Sequence, residues 1–152
     1  MIQRSYLIPA IFYLFIVGLM SGCEEAGKPD TEFSIQQNLF LQSISLVEHA
    51  GSLLQNPQVT QADIDKAMLE MDQGLSHAFQ VEDHFLSTID PRLPKFYTRV
   101  FIPGVEQYRL GVEASDKQKQ LEGLNKLSQW GQFWLPLQPE IHNRLKAING
   151  WH

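Results

Sequence analysis

Apolar side chains recur along most of the chain with the spacing of an amphipathic helix, and no stretch alternates apolar and polar residues convincingly as a strand does. From residue 31 to residue 55, one apolar row repeats every seven positions and a second row runs beside it. The first row is Phe33, Phe40, Val47 and Leu54, and the second is Leu39, Leu46 and Leu53. Rows this wide predict a first helix that packs into a bundle, with Asn56 and Pro57 as its stop signal.

A second helix is predicted to begin at Thr60, because Asp63 follows three residues later in the arrangement of an N-terminal capping box. Its apolar residues are spaced three and four apart and continue the pattern to about residue 86. They include Ile64, Met68, Met71, Leu75 and Ala78. Residues 90–94 contain two prolines and an aspartate, which predict a turn or loop.

A third helix is predicted from about residue 94 to residue 114, and Pro103-Gly104 inside it predicts a kink or a break. Ser115 and Asp116 offer a cap for a fourth helix. The apolar seam of that helix is Leu121, Leu124, Leu127, Gly131, Trp134, Ile141, Leu145 and Ile148. Pro136 and Pro139 interrupt the seam, so this helix should bend or split near residues 135–137.

Short connections between four amphipathic helices predict an all-α fold, a four-helix up-down-up-down bundle with proline kinks in the third and fourth helices. We expect residues 31–152 to form this bundle as a single domain. We find no internal repeat in the sequence.

The first 23 residues have a different character. Arg4 precedes an apolar run over residues 6–20, and Ser21-Gly22-Cys23 follows the run directly. The run suits a signal peptide and is short for a membrane span, which needs about 20 residues. The stretch Leu19-Met20-Ser21-Gly22-Cys23 resembles the lipobox of bacterial lipoproteins, although Met20 stands where leucine is commoner. The alternative is an uncleaved anchor helix in which the cysteine is incidental.

The resemblance implies that residues 1–22 are a lipoprotein signal peptide and that Cys23 is the lipidation site. Residues 23–30 would then be the lipidated cysteine and a short polar tether, which holds the domain at a membrane and facing the periplasm. Glu24 follows the cysteine, where an aspartate tends to retain enterobacterial lipoproteins in the inner membrane, so the resemblance favours the outer membrane.

The net charge and the cysteine count argue against several classes of binding partner and site. The chain has a formal net charge of -5, and its basic residues are scattered. Phosphate binding needs clustered Lys and Arg, so nucleic acid is not expected as a partner, and neither is broad adhesion to anionic head groups. Cys23 is the only cysteine, so the chain can form no internal disulfide and no cysteine metal cage.

The sequence contains no strong motif for metal binding or catalysis. His77 and His84 are seven residues apart and would share a solvated face of one continuous helix, but stable metal sites need three or four ligands. The sequence contains no Glu-x-x-His of di-iron bundles, no Gly-x-Ser-x-Gly and no Gly-rich phosphate loop. We therefore expect no metal, no cofactor and no catalysis.

A haem or small-ligand carrier remains the alternative function. The expected architecture is loosely similar to the b-type cytochrome bundle, which takes a methionine from the first helix and a histidine from the last. His142 lies on the last predicted helix, but Met68 and Met71 lie on the second, where core packing is the commoner role. A pocket for a ligand would have to be opened by the proline kinks.

Aromatic residues cluster near the prolines of the third and fourth helices. Trp130, Phe133 and Leu137 point well away from Gly131, so one neighbouring helix cannot easily bury all of them. Either the fourth helix is centrally buried, or part of this surface docks a partner, since partner sites are rich in Tyr and Trp. We name Phe101, Pro103, Trp130 and Phe133 as the candidate docking residues. The expected function is an envelope-anchored lipoprotein with a non-catalytic, helical protein-binding or adaptor domain.

Overall fold

The computed structural model describes residues 32–148, and every regular element in this range is helical. The predicted all-α class is confirmed, and no strand occurs between residues 32 and 148. The elements are α1 Glu32–Gln55, α2 Gln61–Ala78, α3 Asp83–Ile89, α4 Leu93–Phe96, a π-helical turn Tyr97–Phe101, α5 Ile102–Glu113 and α6 Lys117–Ile148.

Helices α1 and α2 form an antiparallel pair, which we call the first hairpin. The predicted capping box begins α2: the hydroxyl of Thr60 accepts from the Asp63 N–H at 3.2 Å, and the Thr60 N–H donates to the Asp63 carboxylate at 2.9 Å. The Thr60 hydroxyl also donates to the Asp63 carboxylate at 2.6 Å, and this bond, followed by that from the Thr60 N–H, lowers the pKa of Asp63 and favours its charged form at the helix N-terminus. At Gly74 the helices approach closely, since an added Cβ would lie 3.0 Å from Val47 Cγ2.

The prediction that the second helix continues to about residue 86 is wrong. Helix α2 ends at Ala78, and α3 begins at Asp83. The buried side chain of Gln36 bonds the backbone between them: its Nε2 donates to the Gln80 carbonyl at 3.3 Å, and its Oε1 accepts from the Glu82 N–H at 2.8 Å. Backbone groups freed by the helix end therefore find partners on α1.

Pro103-Gly104 lies within α5, so the predicted break does not occur at that pair and a kink stays a prediction; a π-helical turn, Tyr97–Phe101, lies just before α5. There the Ile102 N–H donates to the carbonyl of Tyr97, five residues back. In a regular α-helix the ring of Pro103 would clash with the carbonyl of Arg99, and Pro103 has no N–H to bond to it. One wider turn relieves that conflict, and α5 then continues to Glu113.

Helices α5 and α6 form a second antiparallel hairpin, in which glycines bring the two backbones together. A Cβ at Gly111 would lie 2.6 Å from the Gln120 N atom, and a Cβ at Gly123 would lie 2.7 Å from the Tyr108 Cα. Only a residue without a side chain fits at such distances. At the turn, Asp116 caps α6 by accepting from the Lys119 N–H at 3.1 Å, as one of the two predicted caps.

Helix α6 runs without a break through Pro136 and Pro139, so the predicted split does not occur; a bend stays a prediction. Both prolines are exposed, while Trp134 and Ile141 are buried. Since the prolines lie on the solvent side, water can reach the carbonyls that lose their helical partners. Most of the described seam is buried or half-buried, but Leu121 is 44% exposed.

Candidate docking surface and aromatic core

Among residues 32–148, nine aromatic rings form one connected cluster between the two hairpins, and they come from α1, α3, α4, the π-helical turn and α6. Tyr97 and Trp134 both contact Phe40, with ring centroids 5.4 Å and 5.6 Å away. The cluster consists of Phe33, Phe40, Phe85, Phe96, Tyr97, Phe101, Trp130, Phe133 and Trp134. These rings hold the first hairpin against α6, with which α1 otherwise makes little backbone contact.

The structure brings three of the four candidate docking residues into contact. Phe101 lies 5.1 Å from Trp130, and Trp130 lies 5.8 Å from Phe133, between ring centroids. Phe101 is 1% exposed and Trp130 is 4% exposed, so both belong to the protein's own core. A partner would reach these two side chains only if the core opened. No ring contact or hydrogen bond joins Pro103 to the other three, but it lies two residues after Phe101.

Phe133 and Pro103 are half-buried and remain accessible. Phe133 stacks on Phe96 with centroids 3.9 Å apart and planes 3° from parallel, and the guanidinium of Arg92 lies 5.9 Å from the Phe133 centroid. Phe96 is also half-buried. We call Phe96, Phe133 and Arg92 the aromatic rim, because they form the accessible border of the buried cluster. Stacked rings with an adjacent guanidinium offer a partner both apolar and cationic contacts.

A buried carboxylate fixes the position of Arg92. Asp90 is 3% exposed, and its Oδ1 accepts from both the backbone N–H and the Nε–H of Arg92, each at 2.9 Å. The bonds from Arg92 hold the pKa of Asp90 below its ordinary value, although burial acts in the opposite direction. Arg144 of α6 lies 3.8 Å from the same carboxylate and donates to the Ile89 carbonyl at 2.6 Å. Sequence reasoning missed this cluster, because Arg144 is more than fifty positions from Asp90 and Arg92 along the chain.

One polar contact crosses the aromatic cluster. The hydroxyls of Ser43 and Tyr97 lie 2.6 Å apart, and both residues are fully buried. The Ser43 hydroxyl also donates to the Phe40 carbonyl at 2.7 Å. Burial raises the pKa of the Tyr97 phenol, so it stays neutral at physiological pH. This bond ties the π-helical turn to α1.

Glu48 was not singled out by the sequence, and it is the most perturbed acid of the described residues. Its Oε1 atom is buried and accepts no hydrogen bond from residues 32–148. Desolvation therefore raises the pKa of Glu48 to about 7. The signal in the sequence is its place four residues after Ile44 and one after Val47, at the edge of the apolar face.

The histidines and methionines occupy separate surroundings. His77 is on α2 and His84 is on α3, so the expectation that they share a face of one helix is wrong. Between residues 32 and 148, no group of three or more His, Cys, Asp or Glu side chains is placed to hold a metal ion. Met71 is 2% exposed and packs in the core, and Met68 and His142 are half-buried.

Cys23, the predicted lipidation site, lies outside the described residues, as do the signal peptide and tether. Within the described range, no helix combines the length and the apolar character that a membrane span requires. Comparison of the chain with protein-family models, curated proteins and solved structures gave no match.

Proposed function

We propose that the protein is a lipoprotein of the bacterial envelope, whose helical domain binds another envelope protein without catalysing a reaction. The proposal of a lipid anchor is supported by the stretch Leu19-Met20-Ser21-Gly22-Cys23, which stands at the end of an apolar run. Acyl chains on Cys23 would hold the domain at the membrane, because each buried CH2 contributes about 0.8 kcal/mol. Glu24 after the cysteine favours the outer membrane, with the domain facing the periplasm.

The anchor is tested by Cys23→Ser in the full chain, expressed in a bacterium fed with a traceable fatty acid. The wild-type protein should incorporate the fatty acid and lose residues 1–22, which mass spectrometry measures. The variant should do neither, because the chain holds no second cysteine. Processing of the variant to the wild-type cleavage site would show that residues 1–22 are not a lipoprotein signal peptide.

The docking site that we propose is the aromatic rim, together with Pro103. Of the candidate docking residues, Phe133 and Pro103 are accessible, and the rim adds Phe96 and Arg92 beside Phe133. Aromatic residues and arginine are enriched where proteins bind one another. Since Asp90 holds Arg92 in place, the rim is arranged before a partner arrives, which lowers the entropic cost of binding.

Phe133→Ala and Trp130→Ala form a matched pair for testing the rim. Phe133→Ala should abolish capture of the partner from detergent-extracted envelope and shift the thermal midpoint only slightly. Trp130→Ala should instead destabilise the fold by about 3–5 kcal/mol, because it leaves a cavity in the core. If neither the wild-type protein nor Phe133→Ala enriches any envelope protein over beads alone, the adaptor function is wrong.

We further propose that the two hairpins, joined through the aromatic cluster, form a four-helix up-down-up-down bundle. The interrupted segment from α4 to α5 would count as its third helix. The prolines Pro103, Pro136 and Pro139 would bend the third and fourth helices around the core. Bends of this kind place the aromatic residues near the concave side of the helices. An experimental structure with measured helix axes tests both statements, and straight axes through the prolines would contradict the second.

A further inference from the structure

Four large apolar side chains are strongly exposed among the described residues, and they divide between different parts of the molecule. They are Ile35 at 50%, Leu69 at 57%, Phe79 at 64% and Leu121 at 44%. Single exposed apolar residues are normal and call for no explanation. The position of one pair, at the end of the domain where the proposed tether begins, distinguishes it from the others.

Ile35 and Phe79 stand at the same end of the first hairpin. Gln36 follows Ile35 and donates from its side chain to the carbonyl of Gln80, which follows Phe79, at 3.3 Å. The start of α1 and the end of α2 are therefore in direct contact beside the two exposed side chains. We call this the tether end, because α1 begins at Glu32, shortly after the predicted tether.

Leu121 lies far from the tether end. Arg144, near the end of α6, donates to the Ile89 carbonyl of α3 at 2.6 Å, and Phe85 of α3 lies 5.1 Å from Phe33 of α1. The end of α6 is thus close to the tether end. Leu121 precedes Arg144 by 23 positions, which corresponds to about 35 Å along a helix. The helical domain therefore has exposed apolar side chains both at the tether end and at the distant position of Leu121.

The length of the tether places the tether end near the bilayer. Nine peptide links join Cys23 to Glu32. A chain of that length reaches at most about 32 Å. Such a short tether raises the effective concentration of the bilayer around Ile35 and Phe79, so that a contact too weak to hold a free domain can form.

We propose that Ile35 and Phe79 insert into the lipid surface, so that the domain stands on the membrane with its tether end down. The proposal rests on the anchor at Cys23. Two side chains offer roughly 200–300 Å² of apolar surface, whereas a stable protein interface needs about 800 Å² from each partner. The patch is therefore too small for a second protein and sufficient for a tethered contact with lipid.

The contact is apolar and does not depend on charge attraction. Glu32, Glu82 and Asp83 are exposed at the tether end, and anionic head groups would repel them. The overall acidic charge disfavours broad adhesion of the domain for the same reason. A small apolar contact at one end avoids this repulsion and should persist at high salt, because screening does not weaken it.

The test uses the full, lipidated protein in phosphatidylcholine vesicles. Phe79→Cys, Ile35→Cys and Leu121→Cys each introduce one thiol for a fluorophore, because the thiol of Cys23 would be acylated. All three native side chains are exposed, and circular dichroism checks that each variant folds. Lipids that carry a quencher near the head group should remove most of the emission from the labels at positions 35 and 79, in low and high salt alike. The label at position 121 should keep its emission.

Other outcomes overturn the proposal in distinguishable ways. Equal emission from the labels at positions 79 and 121 would show that the tether end does not meet lipid. Quenching that disappears when the protein is diluted among the vesicles would assign the patch to a second copy. A label shielded from aqueous iodide but untouched by the lipid quencher would be covered by the chain's own tether. Protein that fails to float with the vesicles would refute the anchor, and this inference with it.

Discussion

Neutralising Glu48 should stabilise the protein at alkaline pH and leave it nearly unchanged in acid. The carboxyl lies on α1 with one oxygen buried and without a hydrogen-bond partner among the described residues. Burial penalises the charged form, so the folded protein holds the proton more tightly than the unfolded chain does. Glu48→Gln replaces the carboxyl with a neutral group of the same shape and removes that penalty.

The pKa difference sets the size of the effect. Burial raises the pKa of Glu48 from an ordinary value of 4.5 to about 7. In the wild-type protein the full stability is present below pH 4.5 and is lost progressively as the pH rises to about 7, because folding then requires a carboxylate to be buried. Two and a half pH units of difference correspond to about 3 kcal/mol at pH 8.

Urea unfolding followed by far-ultraviolet circular dichroism measures this dependence at pH 4, 6 and 8. The free energy of unfolding of Glu48→Gln should exceed that of the wild-type protein by about 3 kcal/mol at pH 8 and by a few tenths at pH 4. Glu106→Gln is the control, because it removes a carboxyl of the same chemistry from an exposed position on α5. If Glu48→Gln and the wild-type protein lose stability in parallel from pH 4 to pH 8, the carboxyl is solvated and the reasoning is wrong.

Three further substitutions test local packing, each by urea unfolding at neutral pH. Gly123→Ala should destabilise the protein by about 1–3 kcal/mol, because the added Cβ would collide with the Tyr108 backbone. A variant as stable as the wild-type protein would mean that α5 and α6 are farther apart. Ser115→Gly should stabilise the protein by about 1 kcal/mol, because Ser115 follows α5 with a φ of 55°, which glycine adopts without strain. A loss of stability would contradict this left-handed conformation. Gln36→Leu should cost about 1–3 kcal/mol by leaving the Glu82 N–H unpaired, and an unchanged midpoint would show that the bond contributes nothing.

Local features of the sequence were sufficient to predict the helical class and several boundaries. The capping box at Thr60 and the cap at Asp116 act within one turn, so their residues identify them without any tertiary contact. The buried row of α1 follows from the period of the helix alone, and Phe40, Val47 and Leu54 are buried as that period requires. Leu121 departs from its row because the seam reaches the exposed start of α6.

The candidate site was only partly predictable, because burial depends on which faces meet. The sequence located the aromatic cluster, but it left open whether Trp130 is core or docking surface, and the contact with Phe101 makes it core. Arg92 entered the site through its place above the Phe133 ring, which depends on how α6 packs, whereas its bonds to Asp90 are local. Glu48 resembles any acid on the edge of a helix until neighbouring elements cover it.

By itself, the sequence determined the helical character of residues 32–148 and the starts of α2 and α6, because each depends on neighbours a few residues away. The tertiary structure decided where α2 ends, since no proline or glycine lies between residues 79 and 82 to stop it. Gln36, more than forty positions earlier, supplies the hydrogen bonds that a continuing helix would have supplied. The tertiary structure also decided that α6 continues through Pro136 and Pro139. The buried opposite face stabilises a helix that local propensity alone would interrupt.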